Sequence, residues 1–117
     1  MSVSQYNILN LQKITKLNDP LKEKDMLENE RIEIDRLDRE IVKLFEERTK
    51  LVEKVAEVKL ANNKDILDAG REALVIERVQ GYLENPELKE ELADLYTEIM
   101  RISRGHQQTW MAKQAEK

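Results

Sequence analysis

Apolar residues recur every three or four positions along three stretches of the chain, which is the spacing of an amphipathic helix. The first stretch predicts a helix from about residue 27 to about residue 60, or an earlier start with Asp19 as N-cap and Pro20 as first residue. Its inward (a and d) positions are Leu27, Glu30, Ile34, Leu37, Ile41, Leu44, Arg48, Leu51, Val55 and Val58. At roughly 1.5 Å per residue this helix is about 50 Å long, longer than a domain of this size is wide.

Two shorter helices follow a polar loop at residues 61–69. The second helix is predicted from about Gly70 to about Leu83. The third is predicted to begin with Asn85 as N-cap and Pro86 just inside, and to run to about Met111. The fold class is therefore all-α, with one long and two shorter helices per chain.

The long helix needs more cover than two short helices provide. A second copy of it is the natural cover, so we expect an intertwined homodimer with antiparallel long helices. We divide the chain into an N-terminal extension of unknown role at residues 1–26, a helical domain at residues 27–113 and a tail at residues 114–117. Residues 8–17 have the spacing of a short amphipathic helix, interpreted as a loosely docked extension or as a regulatory, partner-binding segment.

Composition and charge narrow the function classes. The absence of Cys fits a reducing compartment and excludes thiol chemistry, and a single histidine, His106, leaves little for a metal site. We interpret His106 as a packing or surface residue rather than a catalyst, and we expect no metal and no cofactor. A net charge of −4 argues against nucleic acid as the main partner. Without a membrane-length apolar run or a signal pattern at the start, we expect a cytoplasmic protein that does not bind membranes.

An arginine interrupts the apolar seam of the long helix. Arg48 occupies an inward position, where an unpaired buried guanidinium costs on the order of several kcal/mol. Either the seam opens to water there or an anion binds. Arg31 and Lys59 flank the same face, and in a dimer that crosses near residues 42–44, Arg31 of one chain approaches Arg48 and Lys59 of the other. The alternative is that all three are solvated residues whose stems lie along the apolar surface.

Polar residues also interrupt the inward lines of the shorter helices. Asp68, Arg71 and Glu72 point inward at the start of the second helix. Acidic residues favour a helix N-terminus in any case, but an arginine is unfavourable there. Ser103 and Gln107 are one turn apart on the third helix, so their side chains point into the same space, although this pair alone is weak evidence for a site.

Three stretches, "RIEIDRLDREIVKLFEERTKLVEKVAEVK", "DILDAGRE" and "SRGHQ", together resemble the all-helical class of chorismate mutases. The resemblance covers about residues 27–110, and no expected ligand-contacting position is substituted. It implies that Arg31 is donated across the dimer to a site formed in the other chain by Arg48, Lys59, Asp68, Arg71, Glu72, Ser103 and Gln107. It also implies an isomerase that converts chorismate to prephenate, for phenylalanine and tyrosine biosynthesis, by a concerted [3,3] rearrangement without metal or cofactor.

The resemblance also assigns roles to these residues. Arg31, Arg48 and Arg71 would neutralise the two carboxylates of chorismate, and Ser103 would help to hold one of them. Lys59 and Gln107 would donate hydrogen bonds to the ether oxygen. Asp68 and Glu72 would hold the ring hydroxyl. The residues expected to be catalytic are Lys59, Gln107 and Arg48. Two alternatives stay open, an isochorismate pyruvate lyase of the same fold and a non-catalytic helical interaction module. The extension has a further alternative role, association with another enzyme of the shikimate pathway.

Overall fold

The structure, a computed structural model, describes residues 20–117. They form helix α1 (Pro20–Ala61), helix α2 (Ala69–Gly81), a short 3-10 helix (Pro86–Leu88) and helix α3 (Lys89–Ala115). No strand occurs in this described part of the chain, so the predicted all-α class with one long and two shorter helices is confirmed. None of these helices has an apolar stretch long enough to cross a membrane.

Helix α1 begins at Pro20, so the earlier of the two predicted starts is the one observed. Proline suits the first helical position because its φ is already helical and its missing N–H would have no partner there. The next residues are rich in Lys, Glu and Leu, which have high helix propensity, so the helix can extend without burying a face. The boundary predicted between residues 26 and 27 falls inside this helix. Asp19 and residues 8–17 lie outside the described residues.

Helix α2 begins after an N-cap and ends slightly before its predicted end. The Oδ1 atom of Asp68 accepts a hydrogen bond from the backbone N–H of Arg71 at 3.0 Å. This bond satisfies one of the N–H groups that the first turn of a helix leaves free. The helix ends at Gly81 rather than near Leu83, and Tyr82 is its C-cap.

A short 3-10 helix precedes α3, at the position where the sequence predicts the first turn of the α-helix. The side chain of Asn85 accepts a hydrogen bond from the backbone N–H of Glu87 at 3.1 Å, which caps the 3-10 helix. The α-helix proper therefore begins at Lys89, four residues after the predicted cap. It continues to Ala115, beyond the end predicted near Met111, since the intervening residues are good helix formers.

The loop after α1 reverses the chain within a few residues. Asn63 has a φ of 54°, in the left-handed region that asparagine tolerates better than most residues. The backbone N–H of Lys64 donates to the carbonyl of Lys59 at 2.8 Å and so ties the loop to the last turn of α1. This reversal returns the chain toward the side chain of Lys59, where α2 begins.

The described chain divides after residue 44 into two units, residues 20–44 and residues 45–117. The second unit contains the C-terminal part of α1 together with α2 and α3, and α2 packs against α3 there. Its most buried side chains are Ala56, Met100 and Gln107. A buried glutamine in so small a core points to a polar function at that position.

Several apolar side chains of the predicted α1 seam are exposed in the single chain. Leu51 and Val58 are 62% and 60% exposed in the second unit, and Ile41 and Leu44 are 61% and 62% exposed in the first. Exposed apolar surface of this kind is typical of a surface that binds another protein. The antiparallel homodimer stays a prediction.

Candidate active site

A cavity of about 230 Å³ lies between α2, α3 and the C-terminal part of α1. Its apolar wall consists of Leu51, Val52, Val55, Ile66, Val75 and Met100. Its polar lining consists of four cations (Arg48, Lys59, Arg71 and Arg104), two carboxylates (Asp68 and Glu72), Ser103 and Gln107. Four positive charges less two negative charges leave the lining at +2. A chain with an overall charge of −4 thus has a local site suited to a small anion.

The cavity brings together seven of the eight residues that the sequence predicts for the site. They come from α1, from Asp68 just before α2, and from α2 and α3, so they span residues 48–107 of the sequence. The eighth, Arg31, is an exposed residue of α1 in the other unit. Its contribution to the site of a partner chain stays a prediction.

Arg48 lies at the point where the α1 seam meets the cavity. Its Nη1 donates a hydrogen bond to the Oγ atom of Ser103 on α3 at 2.8 Å, and its side chain is half-buried. The arginine therefore interrupts the apolar seam because the cavity opens there. One hydrogen bond leaves most of the five guanidinium N–H groups available to an anion.

Lys59 occupies the last turn of α1, where a positive charge is favoured by the helix dipole. Its Nζ atom donates to the backbone carbonyl of Ile66 at 2.5 Å. This contact holds the ammonium group at the cavity wall. Since an ammonium group has three donor protons, two remain for a ligand.

The start of α2 supplies a carboxylate and a guanidinium that line the cavity. Asp68 is the N-cap of α2, so part of its role is to stabilise the start of the helix. Acidic residues have this effect at any helix N-terminus. Within the described residues, the side chain of Arg71 makes no hydrogen bond or ion pair, although it is unfavourable at a helix N-terminus. An anion in the cavity would compensate for that position.

Gln107 is the most buried polar residue of the described chain, at 7% exposure. Its Oε1 atom is buried without a hydrogen-bond partner among the described residues. Leaving a buried polar atom unsatisfied costs about 1–3 kcal/mol. Such a cost is common at functional sites, and the amide can turn over to present its NH₂ group instead. Together with Ser103, one turn away, it gives the α3 wall two neutral hydrogen-bonding groups.

One polar residue of the lining was missed by the sequence prediction. Arg104 on α3 contacts both carboxylate oxygens of Glu72 on α2 through its Nη1 atom, with 2.6 Å to Oε2. Arg104 follows the buried Met100 by one helical turn, so it interrupts an inward line just as Arg48 does. That irregularity was the signal available in the sequence.

His106 lies outside the cavity lining. Its Nε2 atom is 2.6 Å from a carboxylate oxygen of Glu53 on α1, and the two side chains are 39% and 37% exposed. This agrees with its interpretation as a surface or packing residue. Within residues 20–117, no cluster of three or more His, Asp or Glu side chains could hold a metal ion.

The helices and the cavity define a small all-α protein with a cationic pocket between its helices. A family model described as chorismate mutase type II matches residues 30–108, which is 79 of the 117 residues. The chain belongs to the chorismate mutase type II family, and the predicted resemblance is confirmed. All eight predicted site residues fall inside the matched range. A search of curated proteins found no match.

Proposed function

We propose that this protein is a chorismate mutase, which converts chorismate to prephenate in the biosynthesis of phenylalanine and tyrosine. The observation that carries the proposal is the cavity itself, which gathers seven of the expected polar residues around a net charge of +2. Chorismate carries two carboxylates, so its charge complements this lining. The family match supports the same class of activity.

The rearrangement breaks the ether C–O bond of chorismate and forms a C–C bond within the same molecule. No group enters or leaves, and no nucleophile is needed. The protein therefore has two tasks, to hold the enolpyruvyl side chain folded over the ring and to stabilise the negative charge that develops on the ether oxygen.

Arginines of the pocket are proposed to hold the two carboxylates. Arg48 is held by Ser103 through one N–H group, so the remaining groups can bind a carboxylate in the planar geometry that guanidinium favours. Arg71 has no competing contact among the described residues. Arg31 of the second chain is proposed to complete this set.

Lys59 and Gln107 are proposed to donate to the ether oxygen. The ammonium group is held against the carbonyl of Ile66, and the amide is held by its burial. Groups held in this way need little reorganisation during the reaction, which supports a role for both in stabilising the transition state. Bonds to the ether oxygen strengthen as its charge grows, so they lower the barrier more than they tighten substrate binding.

Asp68 and Glu72 are proposed to accept a hydrogen bond from the ring hydroxyl. Both line the cavity at the start of α2. In Asp68, Oδ1 already accepts the N–H of Arg71, so Oδ2 is the atom left for a ligand. A carboxylate accepts about four hydrogen bonds, so each group retains capacity after its internal contact.

The active form is proposed to be a homodimer with antiparallel long helices. The exposure of Leu51 and Val58, next to the cavity on α1, supports a protein partner for this face. A second copy of α1 would cover both and would bring its Arg31 to the site. Two equivalent sites would result from the two-fold symmetry.

The proposal is tested by a product assay with two substrates. The purified protein is incubated with chorismate, and the loss of chorismate absorbance is followed together with the formation of prephenate. A parallel reaction with isochorismate is assayed for pyruvate. Prephenate as the main product supports the mutase, a larger kcat/KM for pyruvate release supports the lyase, and no reaction with either supports the interaction module.

The pH dependence of the rate provides a further prediction. Since the amide of Gln107 has no titratable proton, activity should persist through mildly alkaline pH. We expect kcat/KM for chorismate to remain within about threefold from pH 6 to pH 8, measured at constant ionic strength. A steep loss across that interval would contradict the assignment of the neutral amide of Gln107 as a donor to the ether oxygen.

A further inference from the structure

Arg104, which forms an ion pair with Glu72, has none of the roles proposed above for the pocket residues. It joins α3 to α2 at the wall of the cavity, with side chains 30% and 24% exposed. It is the only ion pair among the described residues that line the cavity. Arg48, Lys59 and Arg71 make no ion pair there.

This pairing changes what the other cations can do. Glu72 lies in the first turn of α2, next to Arg71 in the sequence, and it lines the same cavity as Arg48. Without Arg104, its carboxylate would be free to pair with those guanidinium groups and would compete with a dicarboxylate ligand. The lining would also fall from +2 to +1, because four cations would become three. Arg104 thus keeps an internal anion away from the cations that a ligand needs.

The geometry also leaves Glu72 able to bind. A single nitrogen, Nη1, contacts both carboxylate oxygens, so it occupies about one acceptor position on each. The remaining lone pairs stay available on the side away from Arg104. A carboxylate held in this way has a fixed orientation. Without the ion pair, the Glu72 side chain could adopt several rotamers in the first turn of α2.

We propose that Arg104 is a positioning residue, which holds Glu72 as a fixed acceptor for the substrate hydroxyl and prevents it from pairing with the carboxylate-binding arginines. This role rests on the proposed mutase function. Arg104 acts through Glu72 and does not itself contact the substrate. Its effect on catalysis should therefore disappear when Glu72 can no longer form the pair.

The test is a double-mutant cycle on kcat and KM for chorismate. Arg104→Met removes the charge and keeps the length of the side chain, and it should lower kcat/KM by about 10- to 100-fold, with a raised KM because Glu72 now competes for the arginines. In a Glu72→Gln background the same substitution should change kcat/KM by less than about twofold. Arg104→Lys should recover most of the loss, because one ammonium nitrogen can contact both oxygens as Nη1 does.

A matched control is available on the same helix. Arg101 forms an ion pair with Glu98 at 2.8 Å, both side chains are well exposed, and neither residue lines the cavity. Arg101→Met should leave kcat and KM within about twofold of the unmodified chain. Circular dichroism and thermal melting check that each variant is folded, and Arg104→Gln serves as a second neutral substitution if the Met variant unfolds.

Several outcomes overturn the inference. If the loss is equal with Glu72 intact and in the Glu72→Gln background, Arg104 acts on the substrate or on the fold, not through Glu72. A lower melting temperature with unchanged kcat and KM means that the ion pair is only structural. A lysine variant as impaired as the methionine variant removes the point-charge explanation. An unmodified chain that leaves chorismate unchanged overturns the proposed function itself, and this role with it.

Discussion

Replacement of Arg48 by leucine is expected to give a folded protein that converts chorismate about a thousandfold more slowly than the unmodified chain. The guanidinium of Arg48 donates a hydrogen bond to Ser103 where the apolar seam of α1 meets the cavity. Its loss leaves a substrate carboxylate without a positive charge to pair with. Stability should be equal or greater, because leucine extends the apolar seam and removes a half-buried charge. The measurements are kcat/KM for chorismate and the free energy of unfolding in denaturant.

The matched control is Lys50→Leu, which removes a cation two residues further along α1. Lys50 is exposed and does not line the cavity, so its replacement should leave kcat/KM within about twofold. A helical interaction module predicts the opposite pattern for Arg48→Leu, since that variant would keep full function. A stable Arg48→Leu protein with unchanged turnover would therefore exclude the proposed role of this residue.

Mixing two inactive variants is expected to restore activity. If Arg31 serves the site of the partner chain, an Arg31→Ala subunit paired with an Arg48→Ala subunit contains one complete site and one that lacks both arginines. Random exchange makes half of the dimers mixed, so the mixture should recover about one quarter of the unmodified activity per chain. The measurement is the rate of chorismate loss after subunit exchange.

Exchange must be verified independently, for example by native mass spectrometry of subunits that carry different tags. The doubly substituted Arg31→Ala, Arg48→Ala chain mixed with the unmodified chain is the control, because its mixed dimers place both defects on one chain. One site in that dimer lacks Arg31 and the other lacks Arg48, so exchange should lower activity instead of restoring it. If verified exchange of the two single variants recovers no activity, the cross-chain site is wrong.

Helix positions could be predicted from local features of the sequence. The spacing of apolar residues identifies the three α-helices of residues 20–117, and the polar residues Asp68 and Asn85 cap α2 and the 3-10 helix before α3. Local reasoning left two possible starts for α1, of which the one at Pro20 is observed, and it ended α3 four residues too early. Apolar periodicity is no longer visible after Met111, whereas helix propensity extends α3 to Ala115.

Some residues of the candidate site could also be predicted from irregularities in regular patterns, whereas the complete set of eight followed from the resemblance to a family. Arg48 interrupts an apolar seam, and Arg71 carries the wrong charge for a helix start. Arg104 was missed although it interrupts an inward line in the same way. Its partner, Glu72, is 32 residues away in sequence, and no local pattern relates the two positions.

The class of the fold, the polar residues that cap its helices, and irregularities such as Arg48 and Arg71 follow from the sequence alone, because periodicity, propensity and capping act within a few residues. Which of those positions meet depends on the tertiary packing. That packing places the ammonium group of Lys59 on the carbonyl of Ile66, buries Gln107, and pairs Arg104 with Glu72 and not with a ligand. Contacts of this kind depend on how α1, α2 and α3 pack, and the direction in which a charge points is set by neighbours that are distant along the chain.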